Sequence, residues 1–260
     1  VVAKAVMTML AANGTIYLTT FDSGTTSADW VGRVFSLDIE SGKLTPIGDP
    51  LTTGHMPYAL AWHAGRLWCG TNRQSSAASG KIFYFRPGID TAWTDDYTLS
   101  SSTVAGCSSL LSYKGLLYVG TTNAAGSFAK VIVRSELGAY TDSLTATGGV
   151  AAANNGFPAM AEFEGNLYAS YYNADTPKIA KIYKFDNASW STVFTGTGAT
   201  LIPFVALPVS TNNILAIGGS MPFEAILLSS ADGTTWANRT VFLQQTTPAS
   251  TGLNVFGIVG

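Results

Sequence analysis

The chain has 260 residues, a length that fits one large all-β domain and does not by itself require several domains. Hydrophobic residues make up 47% of it and charged residues 12%, and the formal net charge is −2. Its 14 lysines and arginines are scattered singly, whereas nucleic acids and anionic membranes bind clusters of them. Nor does any window approach about 18 consecutive apolar residues. We therefore expect no nucleic-acid partner and no insertion into a membrane.

A short phrase made of a turn glycine and an apolar strand recurs along the chain. Its glycines lie 51, 50 and 50 residues apart, at positions 14, 65, 115 and 165. The four clear copies are 13–18 (NGTIYL), 64–69 (AGRLWC), 114–119 (KGLLYV) and 164–169 (EGNLYA). A fifth copy at 212–217 (NNILAI) has Asn212 in place of the glycine, and asparagine tolerates a positive φ better than other residues with a side chain. A fixed period of this size indicates a repeat fold such as a solenoid or propeller.

Each copy contains four strand-length segments in a constant order. An apolar run precedes the glycine, at 58–62, 108–113, 159–163 and 205–209. The phrase itself supplies the second strand, and a third follows at 33–35, 81–83, 130–132, 181–183 and 225–227. The fourth begins with Leu44 in the first copy and with an aromatic residue in the others, namely Trp93, Tyr140, Trp190 and Trp236. The segments are rich in β-branched and aromatic residues and show no helical period, so we predict four antiparallel strands per copy.

A four-stranded sheet with two apolar faces cannot stand alone, and radial stacking of such sheets buries both faces. We therefore predict an all-β, five-bladed β-propeller of four-stranded antiparallel blades, in a single domain over residues 1–260. The blades are expected near 5–51, 57–99, 107–147, 158–198 and 204–246. Residues 252–260 (GLNVFGIVG) look like a sixth first strand, although 5–10 already provide one for the first blade. We predict that a terminal strand closes the ring by joining the blade begun at the other end.

The fifth copy carries a motif found in known propellers. Residues 230–236 (SADGTTW) resemble the Asp-box of sialidase-like (BNR) propellers, S-x-D-x-G-x-x-W, with one residue fewer between the Asp and the Gly. Residues 185–190 (FDNASW) look like a weaker relative, and the strand pattern of the copies also resembles kelch repeats. The resemblance implies that Asp232 and Trp236 lock the hairpin between the third and fourth strands, away from any active site. Turn chemistry agrees, since Asp followed by Gly favours a tight turn over which Trp can pack.

Catalytic candidates are sought among residues that the repeat does not require. Glycoside cleavage needs a pair of carboxylates, and the predicted innermost strands offer Glu162, with Asp22 and Asp175 in the loops after the second strand. A Ser-His-Asp triad would need His55 or His63, but no G-x-S-x-G elbow occurs. The arginines are not grouped as a sialidase triad, and no metal-ligand spacing is present. We expect no cofactor and no metal, and we favour a protein that is not an enzyme.

Binding residues are expected on the face where the long connections emerge, because loops carry function more often than the scaffold that positions them. The candidate ligand-binding residues are Asp29, Trp30, His55, Arg73, Asn155, Phe157, Tyr171 and Tyr172. Trp30 could stack on a sugar or anchor a protein, or it could fold back onto the first blade. His55 could face the central opening or have a structural role. A repeated Asx residue near the end of the second strand could form a ligand ring or simply serve the turn, at Asp22, Asn72, Asn123 and Asn173.

The sequence therefore predicts a non-catalytic β-propeller that serves as a binding or assembly module and recognises a glycan or a protein surface. A surface built from Ser, Thr, Asn and Gly is typical of secreted and virion proteins, so we expect an extracellular or virion-surface location and a place in a larger assembly. One alternative is a glycoside hydrolase-like enzyme with a carboxylate site at the propeller centre. Another is a structural fragment of a larger adhesin or virion fibre. Cys69 and Cys107 lie in predicted strands, where we expect buried small hydrophobes rather than a disulfide.

Overall fold

The computed structural model describes residues 5–22, 31–51, 54–73, 79–99, 104–123, 128–147, 155–173, 179–197, 202–210, 213–220 and 224–238. Regular structure in these ranges is entirely β, so the predicted all-β class is confirmed. No helix in the described ranges is long and apolar enough to span a bilayer. The predicted closing strand at 252–260 lies outside the described residues.

The chain divides into two compact units, and the first contains residues 1–122 and 132–141. Its strands form antiparallel meanders in chain order. The first meander consists of β1 (Ala5–Ala12), β2 (Thr15–Asp22), β3 (Val31–Leu37) and β4 (Leu44–Pro46). The second consists of β5 (His55–His63), β6 (Arg66–Arg73), β7 (Lys81–Phe85) and β8 (Thr94–Thr98). Single bridges link successive meanders, with Val31 opposite His55 and Asn72 opposite Gly106.

The second unit contains residues 123–131 and 142–260. The third meander has residues in both units and consists of β9 (Val104–Tyr113), β10 (Leu116–Asn123), β11 (Lys130–Arg134) and β12 (Tyr140–Thr145). The fourth consists of β13 (Asn155–Phe163), β14 (Asn166–Asn173), β15 (Ile179–Phe185) and β16 (Trp190–Thr197). The fifth consists of β17 (Ile202–Ser210), β18 (Asn213–Ser220), β19 (Glu224–Ser230) and β20 (Ala237–Asn238).

The repeat glycines lie where the first and second strands of a meander meet. Gly14, Gly65, Gly115 and Gly165 all have positive φ, and so do the residues before them, at 48° to 50°. Two consecutive residues with positive φ define a type I′ turn, whose twist matches that of the flanking strands. Asn13 suits this conformation, whereas Ala64, Lys114 and Glu164 adopt it against their intrinsic preference.

Both faces of the meanders contribute to the core. The second strand shows this best, since four consecutive residues of β2 and five of β6 are buried in spite of their alternation between the two faces. In unit 1, Leu67 packs in a cluster with Tyr17 of the first meander, whereas Trp68 packs in another with Leu117 of the third. In unit 2, Tyr168 packs with Leu228 of the fifth meander. Burying a large apolar side chain contributes roughly 1.5–3 kcal/mol, so the stacking of sheets supplies much of the stability.

The aromatic residue at or just before the start of the fourth strand ties its meander to the preceding one. Trp93 donates from Nε1 to the carbonyl oxygen of Ile47 (2.8 Å) within unit 1. Trp190 donates in the same way to Oγ of Ser143 (3.0 Å) within unit 2. The repeated aromatic is therefore a structural contact between sheets, and this explains its recurrence in the sequence.

Asp232, in the motif resembling an Asp-box, closes the turn after β19. Its Oδ1 accepts hydrogen bonds from the backbone N–H groups of Thr235 (2.6 Å) and Thr234 (2.8 Å) and from Oγ of Ser230 (2.9 Å). These bonds, the backbone ones foremost, lower the pKa of Asp232. Asp186 and Asp38 accept equivalent backbone bonds in the fourth and first meanders. The sequence motif therefore missed Asp38, whose turn lacks the aromatic partner.

The two cysteines are free and fully buried, as expected. Burial raises the pKa of both thiols. The sulfur of Cys107 packs directly over the backbone of Gly70, where a Cβ would lie only 2.1 Å from Sγ. Cys69 packs in the cluster shared with the first meander, whereas Cys107 packs in the cluster shared with the third. The two thiols therefore lie on opposite faces of the second meander.

Candidate functional site

Four of the predicted binding residues come together at one end of the fourth meander, in unit 2. Asn155 begins β13 and lies opposite Asn173 at the end of β14, and Tyr172 lies opposite Gly156. This is the end of the sheet from which the long connections leave. Antiparallel pairing thus assembles residues that are about 17 positions apart in the chain into one cluster.

The aromatic members of this cluster form part of the core. Phe157 and Tyr171 are fully buried, with ring centroids 5.2 Å apart, and Tyr183 of β15 contacts both rings at 5.9 and 6.3 Å. Burial raises the pKa of Tyr171 to about 12, so the phenol stays protonated. Tyr172 lies on the opposite side of the strand and is half-buried. Tyr183 escaped the sequence search because it belongs to the repeated third strand.

Asn155 and Asn173 adjoin these rings in sequence and pairing, and Asn123 of the third meander is a further buried amide in unit 2. Asn155 accepts a hydrogen bond through Oδ1 from the backbone N–H of Ala129 (2.6 Å), and Asn173 is fully buried beside it in the sheet. Asn123, the last residue of β10, is only 3% exposed. Neither its Oδ1 nor its Nδ2 has a hydrogen-bond partner within the described part of the chain. A buried amide that lacks both partners costs free energy unless water or a ligand satisfies it.

The register corrects the proposed ring of Asx residues at one position. Arg73, not Asn72, lies opposite the first residue of its neighbouring strand, as Asn173 does in the fourth meander. Asn72 points to the other face of β6, where its side chain contacts the backbone of Gly106. A shift of one residue reverses the face in a strand, so Asn72 is not equivalent to Asn123 and Asn173.

His55 and Arg73 are paired across β5 and β6 in unit 1. The His55 ring is buried, and its Nε2 donates to the carbonyl oxygen of Ser79 (2.8 Å), which fixes the tautomer because a carbonyl can only accept. The ring also meets Phe83 edge-on. The geometry of His55 thus fits the structural alternative, and only the backbone of Arg73 is described. Asp29 and Trp30 lie outside the described residues.

The two acidic candidates that the structure describes are not placed as the paired carboxylates of a glycosidase would be. Asp22 forms an ion pair with Arg33 (2.7 Å) in unit 1. Glu162, in unit 2, is exposed and lies one residue before the end of β13, next to the type I′ turn at Glu164 and Gly165. It is therefore at the hairpin end of its sheet rather than at the end with the long connections. Asp175 lies outside the described residues.

His63 forms a contact that resembles part of a hydrolytic dyad. Its Nδ1 is 2.9 Å from Oγ of Ser112 in unit 1. Burial and the nearby charges of Arg134 and Arg66 lower the pKa of His63, which favours the neutral ring. Among the described residues no carboxylate is hydrogen-bonded to this ring, and no group of His, Cys, Asp and Glu is arranged to hold a metal ion.

No family model matches the sequence, and no curated protein matches it. Solved structures do resemble the fold. YjhT has a TM-score of 0.57 and 10% identity, over 89% of this chain and 83% of that chain. The exo-β-1,3-galactanase from Phanerochaete chrysosporium with galactose has a TM-score of 0.55 and 10% identity, over 89% of this chain and 66% of the galactanase. A chain of the COPII outer coat vertex on membranes has a TM-score of 0.53 and 14% identity, over 86% and 61%.

These neighbours are β-propellers, and the chain therefore has the β-propeller fold. At such low identities the likeness concerns the fold alone, and the neighbours' functions differ widely. Function has to be argued from the residues of this chain.

Proposed function

We propose that this β-propeller is a non-catalytic module that recognises neutral carbohydrate. The amide of Asn123 carries the proposal, because its donor nitrogen and its acceptor oxygen are both buried and unpaired among the described residues. A sugar hydroxyl donates and accepts at once, so it complements a single amide group. Leaving such a group unpaired costs about 1–3 kcal/mol, which a bound hydroxyl would recover.

The composition of three connecting segments supports a neutral ligand. The connections that follow β10, β12 and β14 in unit 2 have the sequences AAGS (124–127), GGVAAAN (148–154) and ADTPK (174–178). They hold one acidic and one basic residue, so they favour neither a cationic nor an anionic partner. A structural neighbour, the galactanase, was solved with galactose and with β-1,3-galactotriose, which makes galacto-oligosaccharides the first ligands to test.

The test compares wild type with Asn123→Ala by glycan array and by calorimetric titration of β-1,3-galactotriose. We expect saturable glycan binding by wild type and at least a tenfold loss of affinity in the variant. The substitution removes the buried amide and therefore both of its hydrogen bonds to the sugar hydroxyl. Asn123→Ala should keep or raise the melting temperature, because the unpaired amide is removed with it. Asn166→Ala, at the hairpin end of β14, is the control and should bind as wild type. Equal binding by wild type and Asn123→Ala contradicts the proposal.

A glycoside hydrolase is the second candidate, and the likeness to the galactanase favours it. Such an enzyme would use Glu162 with Asp22 or Asp175. The exposed hairpin position of Glu162 and the ion pair of Asp22 with Arg33 weigh against it. Incubation of wild type with β-1,3-galactotriose and aryl glycosides decides between the two. Release of monosaccharide that Glu162→Gln abolishes establishes the enzyme, and intact ligand that still binds supports the module.

We also propose that the propeller has five four-stranded blades and that residues 252–260 close the ring. Support comes from the innermost strand of the first meander, where Val6 is 55% exposed and Met9 is 60% exposed. The corresponding strand of the second meander buries Met56 and Leu60. A further strand or sheet would cover the exposed face of β1. Truncation after residue 251 should lower the melting temperature by several degrees, and an unchanged value would argue against closure by this segment.

The setting of the module is proposed on composition. We infer an extracellular or virion-surface location, a glycan or protein surface as partner, and a place in a larger assembly such as an adhesin or virion fibre. The Asp232 turn supports an Asp-box type of repeat over a kelch type. Native mass spectrometry of the protein from its natural source, with identification of any chain bound to it, tests the assembly.

A further inference from the structure

The first meander carries an open groove away from the long connections. It has a volume of about 440 Å³ and lies at the end with the tight turns, in unit 1. Its lining includes Thr15, Ser36 and Thr45 together with Asp38, Ile39 and Glu40 of the turn after β3. Two backbone N–H groups hold the carboxylate of Asp38 in place, and the side chain of Ile39 is exposed. The groove thus joins hydroxyls, carboxylates and one apolar side chain.

The second meander shows which side chains occupy the equivalent positions. Thr15 is the first residue after its type I′ turn, and Arg66 is the first residue after the next such turn. Ser36 lies opposite Tyr17, and Tyr84 lies opposite the equivalent Trp68. The repeat therefore places an arginine and a tyrosine where the first meander has a threonine and a serine.

That arginine occupies the space with a defined geometry. The guanidinium carbon of Arg66 lies 4.5 Å from the centroid of the Tyr84 ring. In the turn that corresponds to the one at Asp38 to Ser41, Asp90 forms an ion pair with Arg86 (2.7 Å), which is the main cause of its lowered pKa, and the charge of Arg66 adds to this effect. In the second meander, Arg66 thus stacks on Tyr84 at the positions that Thr15 and Ser36 hold in the first meander.

We propose that the groove of the first meander receives the guanidinium group of an arginine side chain from a partner protein. The carboxylates of Asp38 and Glu40 supply the negative charge, and the hydroxyls of Thr15, Ser36 and Thr45 supply acceptors for a group that carries five N–H donors. Ile39 packs against the aliphatic part of the arginine. The protein's own second copy shows that the space beside such a turn accommodates this group. The proposal does not depend on carbohydrate binding in unit 2.

The test is an NMR titration of the isotope-labelled protein with N-acetyl-arginine amide, followed by the lysine analogue and β-1,3-galactotriose. We expect saturable shifts confined to the backbone amides of the groove for the arginine analogue, with a dissociation constant in the millimolar range. The lysine analogue should bind at least threefold more weakly, because an ammonium group cannot satisfy several acceptors in one plane. Galactotriose should leave the groove signals unchanged.

Variants separate binding from folding. The double variant Thr15→Arg with Ser36→Tyr copies the second meander, so it should fold as wild type and lose the shifts caused by the arginine analogue. Glu40→Gln should weaken binding between about twofold and fivefold, as expected for one exposed ion pair. Glu136→Gln, in an exposed turn of the third meander, is the matched control and should bind as wild type. The proposal is overturned if the chemical shifts caused by the arginine analogue persist in the double variant or fall outside the groove. Equal affinity for the lysine analogue, or higher affinity for the sugar, would also overturn it.

Discussion

Gly70→Ala tests whether the close approach of two sheets in unit 1 limits the stability of the fold. A Cβ on this buried residue would lie 2.1 Å from Sγ and 2.7 Å from Cβ of Cys107. The sulfur contact is about 1.4 Å inside the lower limit of 3.5 Å for ordinary van der Waals contact. Because Cys107 is itself fully buried, its side chain has no solvent space into which to move. Overpacking of this kind costs about 1–3 kcal/mol.

The assay is urea and thermal unfolding of the single and double variants. For a chain of this size, each kcal/mol lowers the melting temperature by about 2–4 °C, so Gly70→Ala should melt about 2–12 °C below wild type. Cys107→Ala removes the sulfur but leaves its Cβ, so the double variant should recover part of the loss and the two effects should not add. A Gly70→Ala protein as stable as wild type, or strictly additive effects in the double variant, would refute the packing argument.

Three further predictions concern turns and charges. Glu164→Asn should stabilise the protein by about 0.5–1 kcal/mol in urea unfolding, because asparagine adopts the positive φ of this turn at less cost, and a loss of stability would contradict the type I′ assignment. Because the pKa of Asp232 is lowered in the fold, its carboxylate stabilises the fold above the unfolded-state pKa near 3.9, and this contribution fades as pH falls toward the lower folded-state pKa. The melting temperature of Asp232→Asn should therefore lie below that of wild type at pH 7, and the difference should narrow at pH 3. A difference in melting temperature that does not depend on pH would count against this explanation. Asp96→Asn leaves the half-buried Arg134 guanidinium without its bidentate partner and should cost about 1–3 kcal/mol. The control Asp95→Asn removes an exposed carboxylate that pairs with Lys81 and should cost less than about 1 kcal/mol, and equal losses would show that burial does not matter here.

Local chemistry explains what the sequence could predict. The residues around Gly14 and Gly65 need a positive φ, and any hairpin that joins two twisted strands through two residues has this need, whatever surrounds it. The repeated Trp93 and Trp190 likewise marked the starts of fourth strands. Short-range requirements of this type repeat with every copy, so they are visible in one chain without any comparison.

The candidate site was less accessible to this reasoning. Phe157 and Tyr171 look like ligand contacts in the sequence, but the neighbouring strand buries both rings. Asn72 looks equivalent to Asn123, yet the strand register turns it to the other face. Whether a side chain is buried, and which face of the sheet it lies on, depend on the pairing of segments distant in sequence. A register shift of one residue moves each side chain to the opposite face.

The sequence by itself determined the all-β class, the repeat and its turns, because these follow from periodicity and from the conformational preferences of a few residues. Only the tertiary structure decided which polar groups lie buried without partners and where a space is left open. The amide of Asn123 and the groove beside Ser36 depend on what the next strand or sheet places against them. Small side chains such as Thr15 and Ser36 give no sign of such a space until the equivalent Arg66 and Tyr84 are seen to fill it.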